Sequence, residues 1–150
     1  MGIKMGVGRK SKIQYYLDIA KAVSERSTCL RRKYGCVIVK NNEIIATGYN
    51  GAPRGVDNCC DLGYCLRKNK PHNSGDYSDC CSVHAEQNAM LSASRKDMIG
   101  SDMYLYGEEN GVELDFPNPC PICQRMIINA GIDKIISRDK SKRVQVYKKD

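Results

Sequence analysis

The spacing of apolar residues predicts a helix near the start of the chain, followed by two strands. Apolar side chains recur at intervals of three and four between residues 11 and 24, which gives a helix one buried face. Residues 35–40 then form a compact apolar run of strand length, and residues 43–48 form a second. Asn41-Asn42 is a turn signal between them, so we predict a hairpin.

The next stretch has no sustained period. Residues 50–83 are dense in Gly, Asn, Asp, Cys and Lys, and we interpret them as a long ordered excursion. A helix is predicted after it, over residues 85–94. Residues 1–10 are rich in glycine and lysine, which is typical of a flexible leader.

The second half of the chain alternates strands with helices. We predict a helix over residues 120–130, which ends at Gly131. Residues 107–118 are polar and are predicted to be a loop. Three further strands are expected, at residues 102–106, 133–137 and 144–147.

These elements indicate an α/β fold. A hairpin followed by strands that alternate with helices predicts a mixed five-stranded sheet with about three helices on its faces. A chain of 150 residues is one domain in size. We therefore expect a single domain over residues 11–150, with a cysteine-rich insert at about residues 51–83.

Composition limits the classes of partner. No signal-peptide pattern and no long apolar run is visible, so we expect a soluble cytoplasmic protein without a membrane partner. Nine cysteines in that compartment favour metal ligands and reduced thiols over disulfides. The net charge of +7 is spread over several short basic clusters, which indicates solvated surface or a phosphate-bearing ligand. Nucleic acid is a less favoured partner, because no long basic stripe is present.

Two short motifs carry the candidate chemistry. His84-Ala85-Glu86 opens one predicted helix, and Pro119-Cys120-Pro121-Ile122-Cys123 opens the next. Together they offer one imidazole and two thiolates as metal ligands, with Glu86 left as a free carboxylate. A structural zinc normally has four protein ligands, whereas a catalytic zinc keeps one position for water. Three ligands therefore indicate a catalytic Zn²⁺ site.

The spacing within each motif fits that site. Cys120 and Cys123 are three residues apart where a helix should begin, so both sulfurs can lie on its first turn. Pro121 suits the first helical position, since no N–H is needed there. His84 and Glu86 are two residues apart and can converge only at a helix tip.

Glu86 supplies the proton chemistry in this interpretation. Zinc lowers the pKa of bound water from about 9 toward about 7. A carboxylate beside it can take that proton and pass it to a leaving group. The alternative is a closed structural zinc site completed by another of the cysteines, in which Glu86 has no chemical role.

The paired motifs resemble those of the zinc-dependent cytidine deaminase superfamily, whose pattern is H-x-E followed by P-C-x-x-C. Three stretches carry a nearer likeness to deoxycytidylate deaminases, namely Arg26-Ser27-Thr28-Cys29 with Arg31-Arg32, Thr47-Gly48-Tyr49-Asn50-Gly51-Ala52-Pro53 and His84-Ala85-Glu86-Gln87-Asn88-Ala89. This resemblance implies the three-layer α/β/α cytidine-deaminase-like fold. It also implies hydrolytic deamination of dCMP to dUMP and ammonia, which supplies dUMP for thymidylate synthesis.

The resemblance assigns roles to further residues. His84, Cys120 and Cys123 correspond to the zinc ligands, and Glu86 corresponds to the proton carrier. Substrate contacts are implied for three residues: Asn50 to the sugar, Arg26 to the 5′-phosphate, and the backbone near Ala85 to the base. An ordinary turn asparagine and a surface arginine remain the alternatives for Asn50 and Arg26.

Regulation and a second metal are also implied by the family. The loop of Gly48, Tyr49, Asn50 and Gly51 corresponds to an allosteric nucleotide site, with dCTP, held with Mg²⁺, as activator and dTTP as inhibitor. Related inserts hold a structural zinc, and the cysteines that align best with its ligands are Cys60, Cys65 and Cys80. Reduced, partly buried thiols are the alternative there.

Three functions stay open at this point. A dCMP deaminase, which could also accept dCTP, is favoured. A deaminase of tRNA adenosine or single-stranded nucleic acid shares the metal motifs, and a non-catalytic zinc module is the third. Residues 107–118 are longer and more acidic than the usual family link, which leaves substrate preference open. Family practice predicts a homo-oligomer, either a dimer or a hexamer.

Overall fold

The computed structural model describes residues 8–58, 63 and 82–148. Within them, the first helix is α1, Lys12–Ser24, as the apolar spacing predicted. Ser11 caps it, because its Oγ accepts a hydrogen bond from the Gln14 backbone N–H at 3.2 Å. Its apolar stripe is buried, and Leu17 is fully so.

The predicted hairpin is present and longer than expected. Strand β1 is Arg32–Lys40 and β2 is Glu43–Tyr49, paired antiparallel. Asn41 and Asn42 form the turn, with φ angles of 54° and 63°. Two consecutive residues with positive φ match the twist of an antiparallel hairpin. β1 begins earlier than predicted because its first residues also pair with a third strand.

The sheet is mixed. Strand β3, Asp102–Glu109, pairs antiparallel with β1 on one side and parallel with β5, Lys134–Arg138, on the other. β6, Val144–Lys148, closes that side antiparallel to β5. The order along the sheet is β2-β1-β3-β5-β6. All five predicted strands are therefore confirmed.

The prediction of an unstructured polar loop over residues 107–118 is wrong in its first half. β3 continues to Glu109, and a sixth strand, β4, Val112–Glu113, folds back antiparallel onto it. The turn is Asn110-Gly111, with φ angles of 53° and 78°. Asn-Gly favours this turn because both residues tolerate positive φ, and that local signal outweighs the polar composition.

Three helices follow in the described second half. α2, Ala85–Leu91, ends earlier than predicted, and a four-residue helix α3, Arg95–Met98, begins after a new cap at Ser94. The Ser94 Oγ accepts a hydrogen bond from the Asp97 N–H at 3.1 Å, so the chain restarts there instead of continuing one helix. α4, Pro121–Ala130, ends at Gly131 with φ 84°, the predicted stop.

The sheet separates two apolar clusters, which gives the predicted three layers. On one face, Tyr16, Leu17 and Ala20 of α1 pack against residues of β1, β3 and β5. On the other, residues of α2, α3 and α4 pack against the opposite side of the same strands. No helix in the described ranges is long and apolar enough to cross a bilayer.

Much of the cysteine-rich insert cannot be described. Cys60, Cys65 and Cys80, the predicted ligands of a second zinc, lie outside the described residues. Most of the predicted flexible leader, residues 1–7, also lies outside them. The four described cysteines, Cys29, Cys36, Cys120 and Cys123, are free thiols.

Candidate active site

The structure brings the three predicted zinc ligands together. The His84 Nδ1 atom lies 3.6 Å from the Cys120 Sγ and 3.3 Å from the Cys123 Sγ. All three ligand atoms lie within 4.8 Å of one another. In a tetrahedral zinc site, a nitrogen and a sulfur ligand should be about 3.5 Å apart, given Zn–N and Zn–S bonds of about 2.0 and 2.3 Å. The donor atoms and their spacing fit Zn²⁺.

Helix starts position the ligands, as the motif spacing predicted. Cys120 is the N-cap of α4, Pro121 is its first residue, and the Cys123 N–H points to the Cys120 Sγ at 3.5 Å. The positive end of the helix dipole therefore faces both sulfurs and favours their thiolate forms. Gln124 holds the segment just before α4 in place, since its Nε2 donates to the Pro119 carbonyl oxygen at 2.8 Å.

His84 is the N-cap of α2 and is held from both sides. Its backbone N–H donates to the Gln87 Oε1 at 2.9 Å. Just before it, Val83 and Gly51 exchange backbone hydrogen bonds of 2.7 and 3.1 Å, which form an isolated antiparallel bridge. This bridge ties the loop after β2 to the start of α2, where His84 is the N-cap. The bridge could not be predicted, because the long insert separates its two residues along the chain.

The ligand cluster is electrostatically incomplete without a cation. Burial raises the pKa of the Cys123 thiol, and the neighbouring Glu86 and Cys120 raise it further. Burial lowers the pKa of His84. A bound metal deprotonates a coordinating thiol. A divalent cation held by the two cysteines and the neutral imidazole would therefore balance the charge of the two thiolates.

Glu86 lies on the first turn of α2, beside this cluster. Its side chain is buried, and burial raises the pKa of its carboxyl above the usual value, although hydrogen bonds from its own backbone N–H and from the Cys123 thiol oppose that rise. A carboxyl beside such a cluster can accept a proton and return it, which is what general acid–base catalysis requires. The predicted convergence of His84 and Glu86 at a helix tip is therefore what the structure shows.

Cys36 is a buried residue near the site that the sequence did not single out. It lies on β1, in the apolar cluster that also contains Ala85. Burial raises the pKa of its thiol, and the negative charges of Glu86 and Cys123 raise it further. Cys36 is therefore a neutral, buried thiol close to the candidate site. Its position was not signalled by the sequence, because Cys36 stands in an ordinary apolar run.

Asn50 is buried and already makes three hydrogen bonds within the protein. Its Oδ1 accepts from the Ser27 Oγ at 2.6 Å and from the Tyr34 N–H at 2.9 Å. Its Nδ2 donates to the Arg32 carbonyl oxygen at 2.9 Å. The side chain thus joins the end of β2 to the start of β1, and within the described residues one N–H of its amide makes no hydrogen bond.

Arg26 lines a cleft to which the three predicted zinc ligands do not contribute. The cleft has a volume of about 690 Å³ and is also lined by Arg54 and three residues of the predicted effector loop, Gly48, Tyr49 and Gly51. Asn88 and Leu91 of α2 also line this cleft. The structure therefore groups Arg26 with the predicted effector loop.

Gly48 itself has a packing role. A Cβ built on it would lie 2.3 Å from the Ala89 backbone nitrogen and 2.4 Å from the Ala85 carbonyl oxygen. Only glycine therefore lets α2 approach β2 this closely. Asn88 secures the same contact, because its Nδ2 donates to the Tyr49 carbonyl oxygen at 2.7 Å.

A fold with helix-borne histidine and cysteine ligands beside a buried glutamate defines a class of zinc-binding deaminase. Residues 10–138 match the family model of the cytidine and deoxycytidylate deaminase zinc-binding region. The chain belongs to this family, and the resemblance seen in its motifs is confirmed.

Within this family, the chain is similar to several deoxycytidylate deaminases. The deoxycytidylate deaminase of Mycobacterium phage D29 is 39% identical over 127 residues, which cover 82% of this chain and 91% of the phage protein. The deoxycytidylate deaminase of Schizosaccharomyces pombe is 38% identical over 129 residues, 85% of this chain but 37% of the yeast protein. The chain thus spans little more than a third of that relative.

The chain is also similar to a solved structure of a dCMP deaminase. The dCMP deaminase of cyanophage S-TIM5, crystallised with dCMP and dUMP, is similar with a TM-score of 0.60 and 30% identity, over 88% of this chain and 85% of that one. The predicted α/β fold of the cytidine deaminase type is therefore confirmed.

Proposed function

We propose that the protein hydrolyses dCMP to dUMP and ammonia and so supplies dUMP for thymidylate synthesis. The observation that carries this proposal is the cluster of His84, Cys120 and Cys123 with the buried carboxyl of Glu86 beside it. The deoxycytidylate deaminases among the relatives, one with 91% of its length aligned, support the choice of substrate.

The chemistry follows from the groups present. His84, Cys120 and Cys123 would hold a Zn²⁺, which lowers the pKa of water and polarises it for attack on a ring carbon. The buried carboxyl of Glu86 would take one proton from the attacking water and deliver it to the ring nitrogen. It would then carry the second proton of that water from the new C–OH group to the amino group, which leaves as ammonia while the C=O bond forms. Its burial excludes bulk water, so the proton stays within the site.

Substrate contacts are proposed for three residues. The backbone at Ala85, the first residue of α2, would hydrogen-bond the amide edge of the base. Asn50 would offer its remaining amide N–H to the sugar. The guanidinium of Arg26 would contact the 5′-phosphate, which suits a planar bidentate donor.

Regulation is proposed at the cleft beside Gly48, Tyr49, Asn50 and Gly51. Its volume of about 690 Å³ lies in the range of small-molecule sites, and Arg54 provides positive charge. We propose that dCTP, held with Mg²⁺, activates from this cleft and that dTTP inhibits. A homo-oligomer, either a dimer or a hexamer, in the cytoplasm is part of the same proposal.

A second, structural zinc in the insert remains a prediction from the family. Its expected ligands are Cys60, Cys65 and Cys80. Elemental analysis of the purified chain should give about two zinc ions per chain if both sites exist. A value near one would eliminate the structural site and leave the catalytic one.

Ammonia release from a substrate panel tests the proposed function. The panel contains dCMP, CMP, dCTP, deoxycytidine and a tRNA anticodon stem-loop, each with and without dCTP and magnesium as effector. We expect turnover of dCMP above all others. Turnover of the stem-loop but not dCMP would instead identify a nucleic-acid deaminase, and no turnover by zinc-loaded protein would leave a non-catalytic zinc module.

A further inference from the structure

The segment between β3 and α4, residues 110–119, leads directly to the candidate zinc ligand Cys120. Four acidic residues lie in this segment or just before it, and each accepts a hydrogen bond from another part of the fold. The donors are the Tyr106 hydroxyl for Glu108, Arg32 for Glu109, Arg138 for Glu113 and the Lys140 N–H for Asp115. The acidic composition of this part of the chain therefore serves to attach it to the rest of the domain.

Arg138, the last residue of β5, holds the segment at two points. Its Nε donates to the Glu113 Oε1 at 2.8 Å, and its carbonyl oxygen accepts from the Phe116 N–H at 3.0 Å. The same guanidinium reaches α1, because its Nη1 donates to the Asp18 Oδ1 at 2.9 Å and to the Gln14 Oε1 at 2.7 Å. Its side chain is only 3% exposed, so these contacts are shielded from water. Arg138 therefore fixes the segment relative to both the sheet and α1.

The chain between this anchor and the zinc ligand has little freedom. Three residues, Pro117, Asn118 and Pro119, separate Phe116 from Cys120. Each proline fixes its own φ and restricts the residue before it. Both prolines are also buried, so they cannot move without disturbing the packing around them. A displacement of Phe116 is therefore passed on to Cys120.

The backbone of Phe116 depends on this anchor. Its φ angle of 48° lies in the left-handed region, which is unfavourable for a bulky side chain. Such a conformation persists only where surrounding contacts hold it, and the hydrogen bond to the Arg138 carbonyl oxygen is one of them. Loss of the Glu113 side chain would leave Arg138 with one contact to the segment instead of two. The turn at Phe116 would then be free to relax.

We propose that Arg138 is a positioning residue for the candidate zinc site. By holding Glu113 and the turn that follows it, Arg138 keeps the two cysteine ligands at zinc-binding distance from His84. This inference rests on the proposed function and adds a residue from the opposite face of the sheet, since Arg138 contacts α1 whereas α4 packs on the other side. If Arg138 only stabilised the fold, loss of either of its carboxylate partners would affect zinc binding alike.

The test measures zinc affinity, by competition with a chelator of known affinity, for wild type, Glu113→Ala, Glu113→Gln and Asp18→Ala. Asp18→Ala is the matched control, because it removes the other carboxylate that pairs with Arg138, on α1 instead of on the segment. Groups that orient metal ligands contribute about 10- to 100-fold to metal affinity. We expect zinc affinity to fall by about 10-fold in Glu113→Ala, the lower end of that range because Glu113 acts through the backbone. Glu113→Gln keeps an acceptor oxygen and should lose less, and Asp18→Ala should lower Tm but keep the wild-type zinc affinity.

The outcomes separate the inference from the proposed function. Wild-type zinc affinity in Glu113→Ala, or an equal loss in Glu113→Ala and Asp18→Ala, would overturn the positioning role of Arg138 alone. If Glu113→Ala does not fold, Glu113→Gln against Asp18→Ala decides in the same way. Wild-type protein that binds zinc but does not deaminate dCMP would overturn the proposed function, and the zinc affinities of the variants would still decide the positioning role.

Discussion

The contact between Gly48 and helix α2 gives a quantitative test of how the active site is positioned. A Cβ at residue 48 would lie 2.4 Å from the Ala85 carbonyl oxygen, whereas ordinary contact begins at 3.4 Å. The obstructing atoms belong to the helix backbone and cannot rotate away. Gly48→Ala must therefore displace the start of α2 from β2 by roughly 1 Å in a close-packed interior.

The size of the effect follows from that displacement. Inserting a methyl group into a packed interior costs about 1–3 kcal/mol. For a chain of this length, each kcal/mol lowers Tm by about 2–4 °C, so a fall of about 2–12 °C is expected. His84 and Glu86 lie at the displaced end of α2. A misplacement of about 1 Å can lower the rate by about 100-fold.

Gly51→Ala is the matched variant, in the same loop. Its Cβ would come closest to the Thr28 Oγ1, at 2.8 Å, and that side chain can rotate at the cost of a hydrogen bond to Asn58. Thermal unfolding, zinc content and kcat for dCMP should be measured for both variants. We expect a large loss in Gly48→Ala and a small one in Gly51→Ala. Wild-type Tm and kcat in Gly48→Ala would refute the packing argument.

Three other outcomes are expected. Arg138 is buried between Asp18 and Glu113, so Arg138→Met should lower the free energy of unfolding by about 3–5 kcal/mol in urea titrations; an unchanged midpoint would contradict this. Although burial opposes ionisation, cationic partners hold the pKa of Asp18 below its usual value, so its contribution is present above the unfolded pKa and lost as pH falls through the folded one. Melting curves should show stability declining below about pH 4, less steeply in Arg138→Met. Iodoacetamide should leave Cys36 unmodified in the native protein, because burial raises its pKa; labelling at the rate of the partly exposed Cys29 in peptide maps would count against that.

The spacing within each motif of the candidate zinc site was predictable from the sequence because local rules fix it, whereas the approach of His84 to the two cysteines depends on the fold. Cys120 and Cys123 lie on one helical turn whatever the surrounding fold, and Pro121 marks where that turn begins. His84 and Glu86 meet at a helix tip for the same reason. The apolar spacing that defines α1 and the strands likewise depends on neighbours along the chain.

Contacts between distant segments could not be predicted. The pairing of Arg32 with Glu109 depends on the β1–β3 register, which no short window of sequence specifies. The bridge between Gly51 and Val83 depends on how the insert returns to the domain. The β4 hairpin is different, since Asn110-Gly111 is a local turn signal that the acidic composition around it obscured.

Turnover of dCMP by zinc-loaded wild type and Glu86→Gln tests the central claim most directly. The variant keeps the shape of the side chain and leaves the three zinc ligands in place, so zinc content should not change. Because general acid–base catalysis contributes about 100- to 10,000-fold, kcat should fall by at least about 100-fold while wild type converts dCMP to dUMP with equimolar ammonia. Equal rates for the two proteins, or no ammonia from dCMP with wild type, would contradict the account.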